Sequence, residues 1–423
     1  VLEALRQLKP KFSAGPDGIP SILLRKIGPA VAFPLSLLFE MSITTGELPK
    51  IWKSSYVTPI PKKGDPQDVN NYRPISKQSS VLKLLEKVIV NQLLSYLNQF
   101  NLLADEQFGF RPGRSVTTQL LACINDWTEN YSTGTYVAML DFKKAFDSVS
   151  HEKLIHKLSS YGIQGNLLNW IKSYLSGRTQ QVAIGSQYSE KANITSGILQ
   201  GSCLGPLLFL LYINDLPDHI TEAKVALFAD DSKAYSTSPA HLQEALLKIE
   251  NWCSAWQLTL SPNKCSIIQI AKHSRHPAIP FHISNQPLPI TVSQRDLGVI
   301  ITSDLSFDEH YKTIIKKANQ VCYFIMKMFT SGRHVAMAQA FTIYVRPILE
   351  SFSPVWNPTK IQDIDLLEDV QRSFTRQIFR RCGLEPVDYP SRLSFLGLQS
   401  IRCRRKVLDL SLAHSLNKYP SMA

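Results

Sequence analysis

Two adjacent carboxylates, Asp230 and Asp231, stand between the apolar runs Val225-Ala226-Leu227-Phe228 and Ala234-Tyr235. Two apolar runs broken by a short polar step predict a β-hairpin with the acids at or beside its turn. The constraint is severe, because the two charges repel and a tight turn keeps them close. A bound divalent cation removes that cost. An Asp-Asp step standing alone is most often a solvated turn. Here a third acid, Asp141, ends another apolar run, Tyr136-Val137-Ala138-Met139-Leu140. Three carboxylates at strand ends in a basic chain point to a two-metal site acting on a polyphosphate.

The chain has 423 residues, enough for two or three domains with real cores. Its 44% hydrophobic content and unbroken periodic segments exclude a disordered polymer. The net charge of +12, from 46 Lys+Arg against 34 Asp+Glu, favours a polyanionic partner, either nucleic acid or an anionic membrane. The longest apolar run, 204–213, falls short of the roughly 20 residues a membrane span needs. The opening Val-Leu-Glu-Ala-Leu has neither a basic n-region nor an apolar h-region, so no signal peptide is expected. The first residue is Val1 rather than Met, so the chain reads as a piece of a longer polyprotein. Nucleic acid is therefore preferred over membrane. Seven scattered cysteines with no Cys-x-x-Cys pair argue against a disulfide framework and a zinc knuckle, and for a reducing intracellular compartment. His273 and His276 read as surface loop residues.

Turn residues cluster at 13–20, and a helix is expected over about 21–45. The Pro59 and Pro61 segment reads as an edge strand, because proline cannot serve a central ladder. A second extended piece is expected at 72–76, a helix at 81–100, and a helical pattern straight after Asp141. Residues 180–184 read as a strand and 240–256 as an amphipathic helix. Beyond 308 the pattern becomes helices rich in Lys and Arg. Nine basic residues lie between Arg372 and Lys406 against Glu385 and Asp388, interleaved with Phe374, Phe379 and Phe395. That mixture predicts a packed helical unit with one basic face.

The acids have specific company. Leu140-Asp141-Phe142-Lys143-Lys144-Ala145-Phe146-Asp147 places an aromatic five residues past the first acid. Gly197-Ile198-Leu199-Gln200-Gly201-Ser202-Cys203-Leu204-Gly205-Pro206 is a glycine-punctuated turn opening a helix, where main-chain N–H groups can face a ligand. Asn263-Lys264 follows the hairpin by about thirty residues. In this order the segments resemble motifs A to D of reverse transcriptases. Further segments resemble the polymerase of non-LTR retrotransposons of the jockey or CR1 kind. They are residues 13–20, Pro59-Ile60-Pro61-Lys62-Lys63-Gly64-Asp65, Asn71-Tyr72-Arg73-Pro74-Ile75-Ser76 and Phe108-Gly109-Phe110-Arg111-Pro112-Gly113-Arg114-Ser115. Residues 349–358 and the Arg-rich tail resemble its thumb.

The resemblance implies an α+β right-hand polymerase: an antiparallel-sheet palm, fingers and a helical thumb. Residues 1–50 would extend the fingers, 51–300 form fingers and palm, and 301–423 the basic thumb. Asp141, Asp230 and Asp231 would hold two Mg²⁺ ions, with Mn²⁺ as the alternative and the Phe142 carbonyl as an added ligand. Phe146 matches the steric gate that selects dNTPs. Gln200 and Gly201 match residues beside the incoming nucleotide and template base. Lys62 or Lys63, and Arg73, match triphosphate contacts. Lys264 matches the motif D general acid, and Leu297-Gly298-Val299 the primer grip. Asp147 reads as a local capping or pairing residue. One departure stands out: Leu199 replaces the proline usual before Gln-Gly, freeing φ and restoring an N–H. It loosens the expected placement of Gln200.

The activity implied is RNA-directed DNA synthesis from a DNA 3′ end on an RNA template, with dNTPs as substrates. An endonuclease is expected upstream, the particle forming in the cytoplasm and integration occurring in the nucleus. Two other readings compete. One is a degenerate or domesticated element that binds nucleic acid without catalysis. The other is an RNA-dependent RNA polymerase, disfavoured by Phe146 and by Ala229 where Gly more often precedes the two acids.

Overall fold

The segment 135–140 is apolar at every position, which suits a strand buried on both faces. In the computed structural model, which describes residues 1–62, 64–272, 280–329 and 332–418, all six of these residues are buried. In chain order the strands are β1 (Ser54–Pro61), β2 (Tyr72–Lys77), β3 (Thr135–Leu140), β4 (Arg178–Ile184), β5 (Gln187–Tyr188), β6 (Ala192–Ile194) and β7 (Lys224–Phe228). They continue as β8 (Asp231–Ser236), β9 (Ser266–Ile270), β10 (His282–Ile283), β11 (Gln286–Pro287), β12 (Ile290–Thr291), β13 (Ser293–Asp296) and β14 (Val299–Thr302). The central sheet has the order β12-β9-β3-β8-β7. Its β3, β7, β8 and β9 pairings are antiparallel, as expected of a palm, and only β12 runs parallel to its neighbour β9.

The two faces of this sheet separate two cores, because strand side chains alternate. On β3, Tyr136, Ala138 and Leu140 enter one core, while Val137 and Met139 enter the other. The first core contains the helix Gly205–Ile213, buried at all but one position, as an all-round apolar helix must be. The second core packs the helices Asp308–Met328 and Ile361–Arg381 against the opposite face, through Ile314, Ala318, Phe374 and Ile378.

A second sheet, in the order β2-β1-β4-β5 with β6 also on β4, precedes and interleaves with the first in sequence. Here the edge expectation holds for the proline stretch, although the strand as a whole lies between β2 and β4 in the sheet order. β1 is internal only at Tyr56 and Val57, where its β4 register (54–57) overlaps its β2 register (56–61). Pro59 and Pro61 fall beyond the β4 register, so the prolines do occupy a one-sided stretch of the strand. The turn cluster at 13–20 docks on the start of the helix Ser80–Gln99. A Cβ at Gly15 would lie 2.4 Å from the Gln78 carbonyl oxygen, and Ser79 caps that helix through the Val81 and Leu82 N–H groups.

The helical pattern expected after Asp141 opens with only a single 3₁₀ turn, Ala145–Ser148, and its continuation at 154–158 and 167–175 is present in the helices His151–Ser160 and Gly165–Leu175. Lys144 sits in the left-handed region at φ 50°, which a continuing helix cannot accommodate. The expected helix over 21–45 is two helices, Ser21–Lys26 and Gly28–Thr45. The strand at 180–184 and the helix at 240–256 are present, as Arg178–Ile184 and Pro239–Trp256. No described helix is long and apolar enough to cross a membrane, and all seven cysteines are free thiols. Lys63, His273 and His276 lie outside the described residues.

Candidate active site

The acid hairpin forms as the sequence predicts. Phe228 pairs with Asp231, leaving Ala229 and Asp230 as a two-residue turn, with Asp231 opening β8. Ala229 takes φ 58°, whereas Asp230 is not among the positive-φ residues, a pattern that matches a II′ hairpin. The β3–β8 register ends at Leu140↔Ser232, and one further step places Asp141 opposite Asp231. All three acids thus gather at one end of the central sheet. The Asp141 carbonyl accepts from the Ser261 N–H at 2.8 Å, and its own N–H faces the Cys265 sulfur at 3.4 Å.

A cleft of about 1340 Å³ opens over this end. Asp141, Phe142, Asp230 and Lys264 line it from the central sheet. Phe146, Gln200, Gly201, Arg73 and Lys62 line it as well. Nine residues singled out in the sequence therefore meet in one space. Asp231 is not among the lining residues.

The electrostatics follow from burial and like charge. Burial raises the Asp230 carboxyl above the usual range and Asp141 adds to the rise, while Arg73 works against it. Asp231 is pushed up to about 6, first by burial and next by the adjacent Asp230. Lys264 Nζ lies 3.2 Å from Asp141 Oδ2, and the two side chains are 69% and 40% exposed. An ion pair that open contributes about 0–1 kcal/mol, so Lys264 can be released from it readily.

A hard divalent cation fits this donor chemistry: carboxylate oxygens only, two of them carrying a charge penalty that a cation would reverse. Convergence is incomplete, however. Among the described residues no three His, Cys, Asp or Glu side chains form a ready metal-holding group.

The 3₁₀ turn after Asp141 presents Phe146, whose ring stacks on Phe209 at 4.5 Å between centroids and 19° between planes. Its position in the cleft is set by the buried helix beneath it. Gln200 is held from two sides: its Nε2 donates to Asp147 Oδ1 at 3.0 Å, and its carbonyl accepts from the Ser76 N–H at 2.7 Å. The freedom left by Leu199 is thus removed by tertiary contacts, and Leu199 itself is buried in the core. Asp147 pairs, but not locally as expected: its partner Gln200 lies 53 residues away and lines the cleft. Gly201 has φ 105°, and a Cβ there would lie 2.7 Å from the Ser76 carbonyl oxygen.

The 197–206 turn requires a correction. Its N–H groups at Cys203 and Leu204 do not face a ligand; both donate to the buried Glu86 carboxylate, and the Gly205 N–H donates to Ser202 Oγ. Burial raises the Glu86 carboxyl, and the two amide donors work against that rise. Glu86 was legible only as one polar position on an amphipathic helix, 117 residues before Cys203. Gln107 was also missed, although it immediately precedes the Phe108-Gly109-Phe110 motif and is fully buried. Phe110, at φ 54° and 52% exposed, lines the cleft as well.

Residues 297–298 form the turn between β13 and β14, with Leu297 at φ 46° and Gly298 at φ 100°. Lys233 of β8 and Asp296 of β13 make a buried ion pair joining this hairpin to the acid hairpin. The basic tail is less free than its composition suggests. Arg392 and Arg405 are buried, Arg404 pairs with Glu350, Arg372 with Asp365 and Asp369, and Arg381 donates to the Met326 and Phe329 carbonyls. Arg376, Arg380, Arg402 and Lys406 remain exposed.

Residues 60–301 match the family model described as reverse transcriptase (RNA-dependent DNA polymerase). The chain is similar to the probable RNA-directed DNA polymerase from transposon BS of Drosophila melanogaster, at 27% identity over 84% of this chain and 41% of that protein. It is also similar to the RNA-directed DNA polymerase from mobile element jockey of Drosophila funebris, at 30% identity over 75% of this chain and 37% of that protein. A third relative is the retrovirus-related Pol polyprotein from type-1 retrotransposable element R2 of Nasonia vitripennis, at 26% identity over 66% of this chain and 28% of that protein. The chain spans less than half the length of these curated relatives. With Asp141 and the acid hairpin inside the matched segment, the chain belongs to the reverse transcriptase family.

Proposed function

We propose that this chain is the RNA-directed DNA polymerase segment of a non-LTR retrotransposon, adding dNTPs to a DNA 3′ end along an RNA template. The observation that carries the proposal is the meeting of Asp141, Asp230, Phe146, Gln200, Gly201, Arg73 and Lys264 in one cleft. Asp141, Asp230 and Asp231, with the Phe142 carbonyl, are the groups that would hold two Mg²⁺ or Mn²⁺ ions. Such ions supply Lewis-acid activation of a primer hydroxyl and neutralise charge on a leaving pyrophosphate. Arg73 and Lys62 offer positive charge to the triphosphate from the rim. Gln200 and Gly201 form the floor on which the base and sugar rest. The Phe146 ring, which stacks on Phe209, would clash with a ribose 2′-hydroxyl and so select dNTPs. Lys264 Nζ, beside Asp141, is the group that would act as general acid toward pyrophosphate. The C-terminal helices act as a thumb, their exposed arginines meeting the phosphate backbone. The domain limits near 50 and 300, an upstream endonuclease, and assembly in the cytoplasm before entry to the nucleus belong to the same proposal.

Primer extension with an RNA template, a DNA primer, dNTPs and Mg²⁺ tests it. Product is expected from the wild-type chain. Asp230→Asn should lower the rate by more than about 10³-fold while leaving template–primer affinity intact. A folded, RNA-binding preparation that makes no product would favour the degenerate-element reading, and a preference for rNTPs would favour an RNA polymerase.

A further inference from the structure

We infer that Gln107 is a positioning residue that sets the conformation of the Asp230 turn, an inference that rests on the polymerase reading of this cleft. β7 is the outer strand of the central sheet, and the segment 106–108 lies along it. The Leu227 N–H donates to the Glu106 carbonyl and the Phe108 N–H to the Leu227 carbonyl, both at 2.8 Å. Gln107 forms a parallel bridge with Leu227 and is fully buried.

Its Oε1 accepts two main-chain donors at once: the Gly109 N–H at 2.8 Å and the Ala229 N–H at 2.9 Å. One donor belongs to its own loop and the other to the acid turn. Both neighbours are N–H donors, so the amide must present its oxygen to them. Ala229 is the residue that needs holding. At φ 58° it occupies a region that costs an L-residue conformational energy, and a hairpin of this kind usually has Gly there. Gly109 makes the clamp sterically feasible, since a Cβ there would lie 2.4 Å from the Ala229 nitrogen. The peptide that follows Ala229 carries Asp230, so relaxing φ at 229 re-aims the carboxylate in the cleft. A displacement of about 1 Å at a reacting group can cost on the order of 10²-fold in rate.

The test compares Gln107→Met, which keeps shape and burial but removes the acceptor, with Ala229→Gly and the double variant. Primer extension and amide hydrogen exchange of the 225–235 peptide are both measured. Gln107→Met should lower kcat by about 10- to 100-fold with the KM for dNTP changed by less than about threefold, and should speed exchange in that peptide. Adding Ala229→Gly removes the need for a strained φ, so the double variant should recover at least about tenfold over Gln107→Met. Strict additivity of the two losses, or a Gln107→Met protein that loses thermal stability but keeps its kcat, would overturn the inference. If Gln107→Met does not fold, Gln107→Glu replaces it, because a carboxylate also accepts two N–H bonds. A protected 225–235 peptide in that variant supports the clamp, and an unprotected one overturns it. If the wild type makes no product, the polymerase reading fails by itself. The exchange comparison then still decides the clamp, equal rates in wild type and Gln107→Met overturning it.

Discussion

Asp231 shows how much a single residue's meaning depends on its surroundings. The native fold holds its proton up to about pH 6, against an ordinary value of 3.8. An unfolded chain releases that proton near the ordinary value, so raising the pH between the two favours unfolding. Ionised Asp231 therefore costs stability above pH 6, and solvent on its open side limits the cost to about 1 kcal/mol. Asp231→Asn should be more stable than wild type at pH 7 in EDTA, and the gap should close as the pH falls toward 4. Urea denaturation at several pH values measures this; a gap independent of pH would refute it. Phe146 yields a second prediction at the same scale. Because its ring is braced by Phe209, truncation opens space rather than letting the ring swing aside. Phe146→Val should relax discrimination against rNTPs by about 10- to 100-fold, read as the ratio of kcat/KM values. The residue types Asp141, Phe146, Gln200, Asp230 and Lys264 were legible from their order in the chain. Glu86 and Gln107 were not, because a buried polar residue on an apolar face looks in sequence like an ordinary exposed position.

Hairpins and long amphipathic helices were legible as elements, since their periods survive whatever packs against them. The acid hairpin and the helices Ser80–Gln99 and Pro239–Trp256 lie within a few residues of expectation. The segment after Asp141 was misread because its apolar spacing suits a helix, whereas Lys144 adopts a left-handed backbone that lifts Phe146 toward the cleft. The 197–206 turn was misread for another reason: its N–H donors are claimed by Glu86, which sequence spacing cannot bring near. Segment 106–109 was read only as part of a motif, yet it acts as an added edge to β7. Gly109→Ala tests that role. Its Cβ would meet main-chain atoms that cannot move independently, so a loss of about 1–3 kcal/mol and a matching fall in extension are expected. Wild-type melting temperature and rate in that variant would show that the contact is not needed.

Across the whole molecule, the central sheet joins the two cores, and the Lys233–Asp296 pair ties its acid hairpin to the β13–β14 hairpin. Both side chains are almost wholly buried, so removing one leaves an uncompensated charge. Lys233→Ala should cost about 3–5 kcal/mol in denaturant unfolding, whereas a Lys233→Met, Asp296→Leu double variant should recover most of it. If the single and double variants were equally unstable, the pair would not be the source of the loss. The basic character of the C-terminal helices was legible, but the division between structural and free arginines was not. By itself the sequence determined the family, the acids, the hairpin and the order of the motifs, because these are properties of local pattern and residue type. Only the tertiary structure decided which polar groups are consumed in holding the site, namely Glu86, Gln107, Asp147 and Asp296. It also decided that Asp231 stands apart from the cleft lining. Hydrogen bonds and charge penalties depend on neighbours separated by tens to hundreds of residues, and no local pattern records them.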